Sequence, residues 1–250
     1  MPLETRSRAA LAPQFELPPP FTLVTLREVG DAFAHAVSVA PEQGAGTLVY
    51  VGRFDLAEFA VVLEPDEPLR TARRAFYTGM VALIDALLSH APPEKPIAID
   101  WPDAILIDRG LVGGGRLAWP EGAREDEPPP WLVFGGMIRT VSMTDNPGLH
   151  PMAAALEEEG FTDVAAAELV ASFARHLMVH IDALHESGFG LVAKEYLPRL
   201  PRETGVRRDI DENGDLLVRR AAKGGAERMN LKAALATPSW LDPKTRGPRL

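Results

Sequence analysis

The chain has no cysteine among its 250 residues. Disulfides, thiolate metal sites and cysteine nucleophiles are therefore excluded. Lysine is also scarce, with five against 21 arginines. They stand at positions 95, 194, 223, 232 and 244. Positive charge is in deficit overall: 26 Lys+Arg face 35 Asp+Glu, a net charge of −9. That balance argues against non-specific attachment to nucleic acid or anionic membrane. No run approaches the roughly 20 apolar residues needed to cross a bilayer. Residues 1–20, MPLETRSRAALAPQFELPPP, lack the apolar stretch of a signal peptide and read as a loose tail. A cytoplasmic protein with neither nucleic-acid nor membrane partners is the expectation. Its 46% hydrophobic content is enough for a core.

What is present is a succession of short β-rich runs broken by two long amphipathic stretches. Strands are expected at 21–26, 47–51, 57–63 and 131–139, where β-branched and aromatic residues dominate. Asp31 is placed to cap a short helix, and 41–46 reads as a turn. Apolar residues three or four apart predict a helix over 69–91, with Ala72, Phe76, Met80, Leu83, Ile84 and Leu87 on one face. A second helix is predicted over 164–186, with Leu169, Phe173, Leu177, Ile181 and Leu184 as its stripe. His176 and His180 share a face of that helix. Two histidines at this spacing can bind metal, but no third ligand follows at a defined interval, so no metal is assigned.

Further on, Asp209, Asp211, Gly214 and Asp215 imitate a calcium loop. Position 12 of such a loop would be Arg220, where a bidentate Glu is required. Asn213-Gly214 between β-rich runs instead predicts a hairpin. Trp240 reads as an anchor packed against something.

The informative stretch is Ile97 to Leu117, IAIDWPDAILIDRGLVGGGRL. Two apolar runs flank Asp100-Trp101-Pro102-Asp103, and Asp108-Arg109-Gly110 turns the chain into a third. Gly113, Gly114 and Gly115 carry no side chains, so another backbone or a ligand can approach closely there.

This stretch resembles the central motif of the biotin and lipoate protein ligase family, Lys-Trp-Pro-Asn-Asp followed by an apolar strand, a turn and a Gly-bearing strand. Trp101 and Pro102 match. Asp103 stands at the Asn, Asp100 at the Lys, and Ala104 at the last Asp. The catalytic Lys of the family falls on Gly110 or, with a one-residue shift, on Arg109. Gly52-Arg53 stands where biotin ligases carry a long Gly-Arg-rich adenylate loop. Gly135, Gly136 and Arg139 resemble the Gly-x-Gly-x-Asn end of the strand beside the ligand.

The resemblance covers about residues 21–200. It implies an α+β fold, with a mixed, largely antiparallel sheet flanked by helices over 21–200 and a small C-terminal β-rich domain and tail over 201–250. It further implies ATP- and Mg²⁺-dependent adenylation of a small carboxylic acid, biotin or lipoate, and transfer to a lysine of a carrier domain. Arg109 would be the catalytic group. Gly52, Arg53, Trp101, Pro102, Asp103, Gly113, Gly114, Gly115, Gly135, Gly136 and Arg139 would line the substrate site. The absence of cysteine excludes the octanoyl-transferase branch. Two other readings stand beside ligation: a non-catalytic binder of a small acid or acylated carrier, and a subunit that pairs through its sheet edge as a homodimer.

Overall fold

The computed structural model describes residues 15–143, 149–161, 164–221 and 225–250. Seven strands form one sheet in the order β1-β2-β3-β7-β6-β5-β4. They are β1 (Thr22–Leu26), β2 (Thr47–Val51), β3 (Leu56–Leu63), β4 (Ile97–Asp100), β5 (Ala104–Ile107), β6 (Gly110–Ala118) and β7 (Leu132–Arg139). Only the edge pair β1–β2 is parallel; every other pairing is antiparallel. This is the expected mixed sheet, with the expected hairpin at its far edge.

The central strands β2, β3 and β7 are buried on both faces, and their alternation sorts side chains between two layers. Along β3, Ala57, Phe59 and Val61 point into the main core, under helices α3 (Ala75–Leu88) and α4 (Ala166–Ser187). Ala60 and Val62 point the other way, under α1 (Ala32–Gln43). Asp31 caps α1 by accepting from the Ala34 amide at 2.9 Å. The helix runs on through Pro41, where a turn is expected from sequence. Proline costs one backbone bond there, and in the last turn that loss falls beside carbonyls already outside the ladder.

The helix expected over 69–91 is two helices, α2 (Leu69–Ala72) and α3. Arg73 and Arg74 form a tight joint of three-residue hydrogen bonds, Arg74 N to Thr71 O, Phe76 N to Arg73 O and Tyr77 N to Arg74 O. Both side chains are held by acids, Arg73 while remaining buried. Arg73 Nη2 meets Glu125 and Arg74 Nη2 meets Glu67, each at 2.6 Å. Periodicity cannot reveal such a joint, because the apolar spacing continues through it. After Gly188 a short helix, α5 (Phe189–Tyr196), follows α4 almost without a break.

Beyond Leu200 lies a small antiparallel sheet, β10-β9-β8, of β8 (Val206–Ile210), β9 (Leu216–Arg220) and β10 (Ala226–Met229), followed by α6 (Leu231–Leu235). The acidic stretch before β9 is a hairpin turn: Asp211 accepts from the amides of Asn213 and Asp215. Tyr77 ties this turn to α3 by donating to the Gly214 carbonyl at 2.7 Å.

Glu125 fastens the β6–β7 connection to two distant elements, accepting from Arg73 and from Lys232 of α6, each at 2.6 Å. The Arg73 hydrogen bond, aided by Lys232, holds its carboxyl down to about 2. The folded value lies below the ordinary 4.5, so this contribution is present above pH 4.5 and lost as pH falls toward about 2. Glu125→Gln should be less stable than the parent at pH 7, by about 1 kcal/mol after solvent screening. The difference should vanish below pH of about 2 in urea melts taken across that window.

Candidate functional site

The hairpin of β4 to β6 carries its polar groups to both faces of the sheet. The Trp101–Pro102 peptide is cis. Trp101 is half-buried toward the main core, where its Nε1 donates to Tyr77 Oη at 3.2 Å. Pro102 is buried, and its carbonyl accepts from Tyr196 Oη at 2.7 Å. Asp103 points to the opposite face. It is 1% exposed and accepts from the Ser239 amide at 2.9 Å and the Ser239 hydroxyl at 2.6 Å. Burial pushes its carboxyl above the usual range, against the two Ser239 bonds.

The glycines open space that the chain itself fills. A Cβ on Gly114 would collide with the Trp240 ring, at 2.4 Å from Cδ1. The same atom on Gly115 would meet Met80 Sδ at 2.5 Å on the other face. Gly135 makes room for Phe33 and Gly136 for Phe59, each ring 2.5 Å from where a Cβ would sit. Trp240 is 1% exposed and packs with Leu56, Ala104 and Met137. Its Nε1 donates to the Gly115 carbonyl at 3.0 Å. The glycine wall is thus occupied by aromatic rings.

Arg139, at the end of β7, is 8% exposed. Its Nη1 donates to the Ala154 carbonyl at 3.1 Å and its Nη2 to the carbonyls of Pro248 and Arg249 at 2.7 and 3.0 Å. Burial lowers its pKa, with Glu158 opposing. Arg109 lies far from these groups in character. It sits at the exposed tip of the β5–β6 turn with φ of 72° beside Asp108 at 45°. Asp100 is exposed as well.

Gly52 and Arg53 border an open cleft at the ends of β2 and β7 and the start of α4. Its volume is about 810 Å³. Tyr50, Phe54, Leu156, Phe161 and Ala166 supply apolar walls, and Glu28, Glu157 and Arg53 the charge. The β2–β3 connection is only residues 52–55. Arg53 is clamped across it by Asp55, with Nε and Nη2 donating at 2.8 and 2.7 Å. That bidentate bond raises the Arg53 pKa and helps depress that of Asp55 against the opposing effect of burial.

A polar cluster beside this corner was not visible in sequence. Glu58, 4% exposed, accepts from the Ala32 amide at 2.9 Å, and burial raises its pKa. Arg116 bonds to Asp31 at 3.3 Å and lies over the Phe33 ring at 4.1 Å. Glu58 is an acid inside an otherwise apolar strand, which was the one available signal. The two helical histidines are engaged elsewhere. His180 lies between Asp85 at 2.8 Å and Glu195 at 3.2 Å, and His176 Nδ1 is 2.9 Å from the Ser172 carbonyl.

A seven-stranded mixed sheet with a glycine-bearing hairpin and helices on its faces is the fold of biotin protein ligases. The chain belongs to the biotin/lipoate A/B protein ligase family, which it matches over residues 17–198. Among curated proteins nothing matches. Among solved structures, a biotin protein ligase-like protein of unknown function from Silicibacter sp. TM1040 is similar, with 28% identity and a TM-score of 0.78 over 90% of this chain and 100% of that one. Aquifex aeolicus biotin protein ligase, in complex with biotin and ATP, shares 15% identity at a TM-score of 0.65, covering 83% of this chain and 95% of its own. The Leishmania major enzyme in complex with biotinyl-5-AMP shares 16% identity at 0.54, covering 85% and 99%. The last two likenesses are of fold.

Proposed function

We propose that this family member binds a small carboxylic acid with an apolar body, such as biotin or lipoate, in the cleft beside Gly52–Phe54, without activating it through a nucleotide. The observation that carries this reading is the cleft itself. Its walls are largely apolar, and Arg53 is the one cation among its described lining residues. A guanidinium at an apolar wall suits a carboxylate on an apolar body.

The residues present do not fit a triphosphate. Adenylation needs positive charge on the phosphates, balanced by Mg²⁺, and donors free to follow the charge as it moves. Here Arg53 gives Nε and Nη2 to Asp55, which leaves Nη1 for a single carboxylate, while Arg116 is paired with Asp31 and Arg139 with backbone carbonyls. Asp100 and Asp103 add negative charge to the hairpin.

ATP-dependent ligation to a carrier lysine is the second reading, favoured by one observation. Arg109 is exposed on the hairpin tip, where it could approach a docked carrier domain. An acylated carrier held without ligation belongs to the same test.

The experiment is calorimetric titration with biotin, lipoate and octanoate, with and without MgATP. One acid should bind in the absence of nucleotide. Arg53→Ala should weaken it by about 10- to 100-fold, the worth of one charge-assisted hydrogen bond. Release of pyrophosphate from ATP with any acid would return the protein to the ligases. Silence with every acid would end the binding reading.

A further inference from the structure

The small sheet leaves one edge bare. In its order β10-β9-β8, β8 lies outermost, with no proline and an unbroken register against β9. Bonds from Asp211 N to Asp215 O and from Ala221 N to Gly205 O fix the parity of that pairing. Arg207 and Asp209 therefore turn their backbone groups to β9, and Val206, Arg208 and Ile210 turn theirs outward. Among the described residues, the Arg208 N–H and the carbonyls of Val206, Arg208 and Ile210 meet no backbone partner. Such an edge is a template for another strand.

The side chains select which strand. Arg207 and Asp209 are exposed, and neither has an ion-pair partner among the described residues. Within its own sheet Arg207 stands directly opposite Arg219, a like-charge pair that costs stability. The run Val206-Arg207-Arg208-Asp209-Ile210 is its own charge complement when laid antiparallel about Arg208. In that register each Arg207 faces an Asp209 and each Val206 an Ile210. Arg208, on the axis, is already neutralised in its own copy, donating to the Pro201 carbonyl at 2.6 Å and pairing with Glu203. The edge strands of the large sheet carry no such pattern: β1 has no charged residue and β4 only Asp100.

We propose that β8 pairs antiparallel with β8 of a second copy of this chain, joining the two small sheets across a two-fold axis at Arg208. The Arg207–Asp209 pairs fall at positions without mutual backbone bonds, where side chains of neighbouring strands lie closest. The Ile210 amide now donates to Asp209 Oδ1 at 2.9 Å. On pairing it takes the Val206 carbonyl of the second copy instead, which frees that carboxylate for Arg207. A groove of about 400 Å³ lies beside β8, walled by Leu197, Pro198, Leu200 and Val206. The same register sets the turn 211–213 of one copy against this groove in the other, and exposed Glu212 approaches exposed Arg202. A contact in which one patch meets itself closes as a pair and does not propagate. It is independent of acid binding at Arg53.

Sedimentation velocity on the full chain tests it. The parent should shift from 27.1 kDa toward twice that mass as concentration rises from micromolar to millimolar. Arg207→Asp and Asp209→Arg each set like charges opposite one another on both sides of the axis. Each should weaken dimerisation by about 10- to 100-fold. Mixed in equal amounts, these two variants should form a heterodimer, because every charge then meets its opposite. A chain carrying both substitutions should regain most of the parent's affinity, which separates a lost contact from a damaged fold. Amide exchange at Arg208 should slow with rising parent concentration while exchange in α3 stays constant. A parent that remains monomeric throughout overturns the proposal, and so does a dimer indifferent to both reversals.

Discussion

Gly113→Ala is expected to lower stability by on the order of 4 kcal/mol, the sum of backbone strain and overpacking at a site that cannot relax. The register between β5 and β6 shifts at this point, so that Ile105 faces Gly113 while Leu106 faces Leu111. Val112 is the extra residue of the bulge, and Gly113 absorbs it with φ of 155°. An added Cβ would stand 1.9 Å from the Met137 carbonyl oxygen. That neighbour is backbone in the adjacent strand, so no rotamer change relieves the clash. The strand would have to move, taking Gly114 and Gly115 from beneath Trp240. Urea denaturation should show a much lower midpoint with an unchanged slope. Exchange in 239–250 should rise more than in α1, which packs on the far part of the same face. A variant within 1 kcal/mol of the parent would mean that the bulge is not built as described.

The second large effect is expected at Asp215. This carboxylate is 5% exposed and carries the junction between the small sheet and α6. Arg228 Nε donates to it at 2.8 Å, Asn230 Nδ2 at 3.1 Å and the Leu231 amide at 2.9 Å. Removing one partner of a buried charged network typically costs about 3–5 kcal/mol, because the remaining donors are left without acceptors. Asp215→Ala should therefore detach the turn that Tyr77 holds through Gly214. The loss should appear as early unfolding of residues 206–235 in exchange experiments, ahead of the seven-stranded sheet. Asp215→Asn keeps an acceptor and should lose less than half as much. Equal losses for the two would show that charge rather than hydrogen bonding holds the junction.

The hairpin of residues 97–117 was legible because its signals are local. Alternation, a Gly-bearing turn and a run of glycines each constrain the backbone within a few residues. The long helix α4 was legible for the same reason, its apolar stripe having one period throughout. The joint at Arg73 and Arg74 was not, since partners 52 and 7 residues away hold those side chains. Nor was the filling of the glycine wall. Gly135 and Gly136 read equally well as pocket or packing until Phe33 and Phe59 are seen against them.

The sequence alone pointed to the family and the mixed sheet, since these rest on residue types and short spacings. Only the tertiary structure decided which glycines are covered and by what. Asp103 and Ser239 are 136 residues apart, as far as chain distance is concerned unrelated, yet hydrogen-bonded at 2.6 Å. Contacts of that reach are set by how layers pack, and no local pattern encodes them.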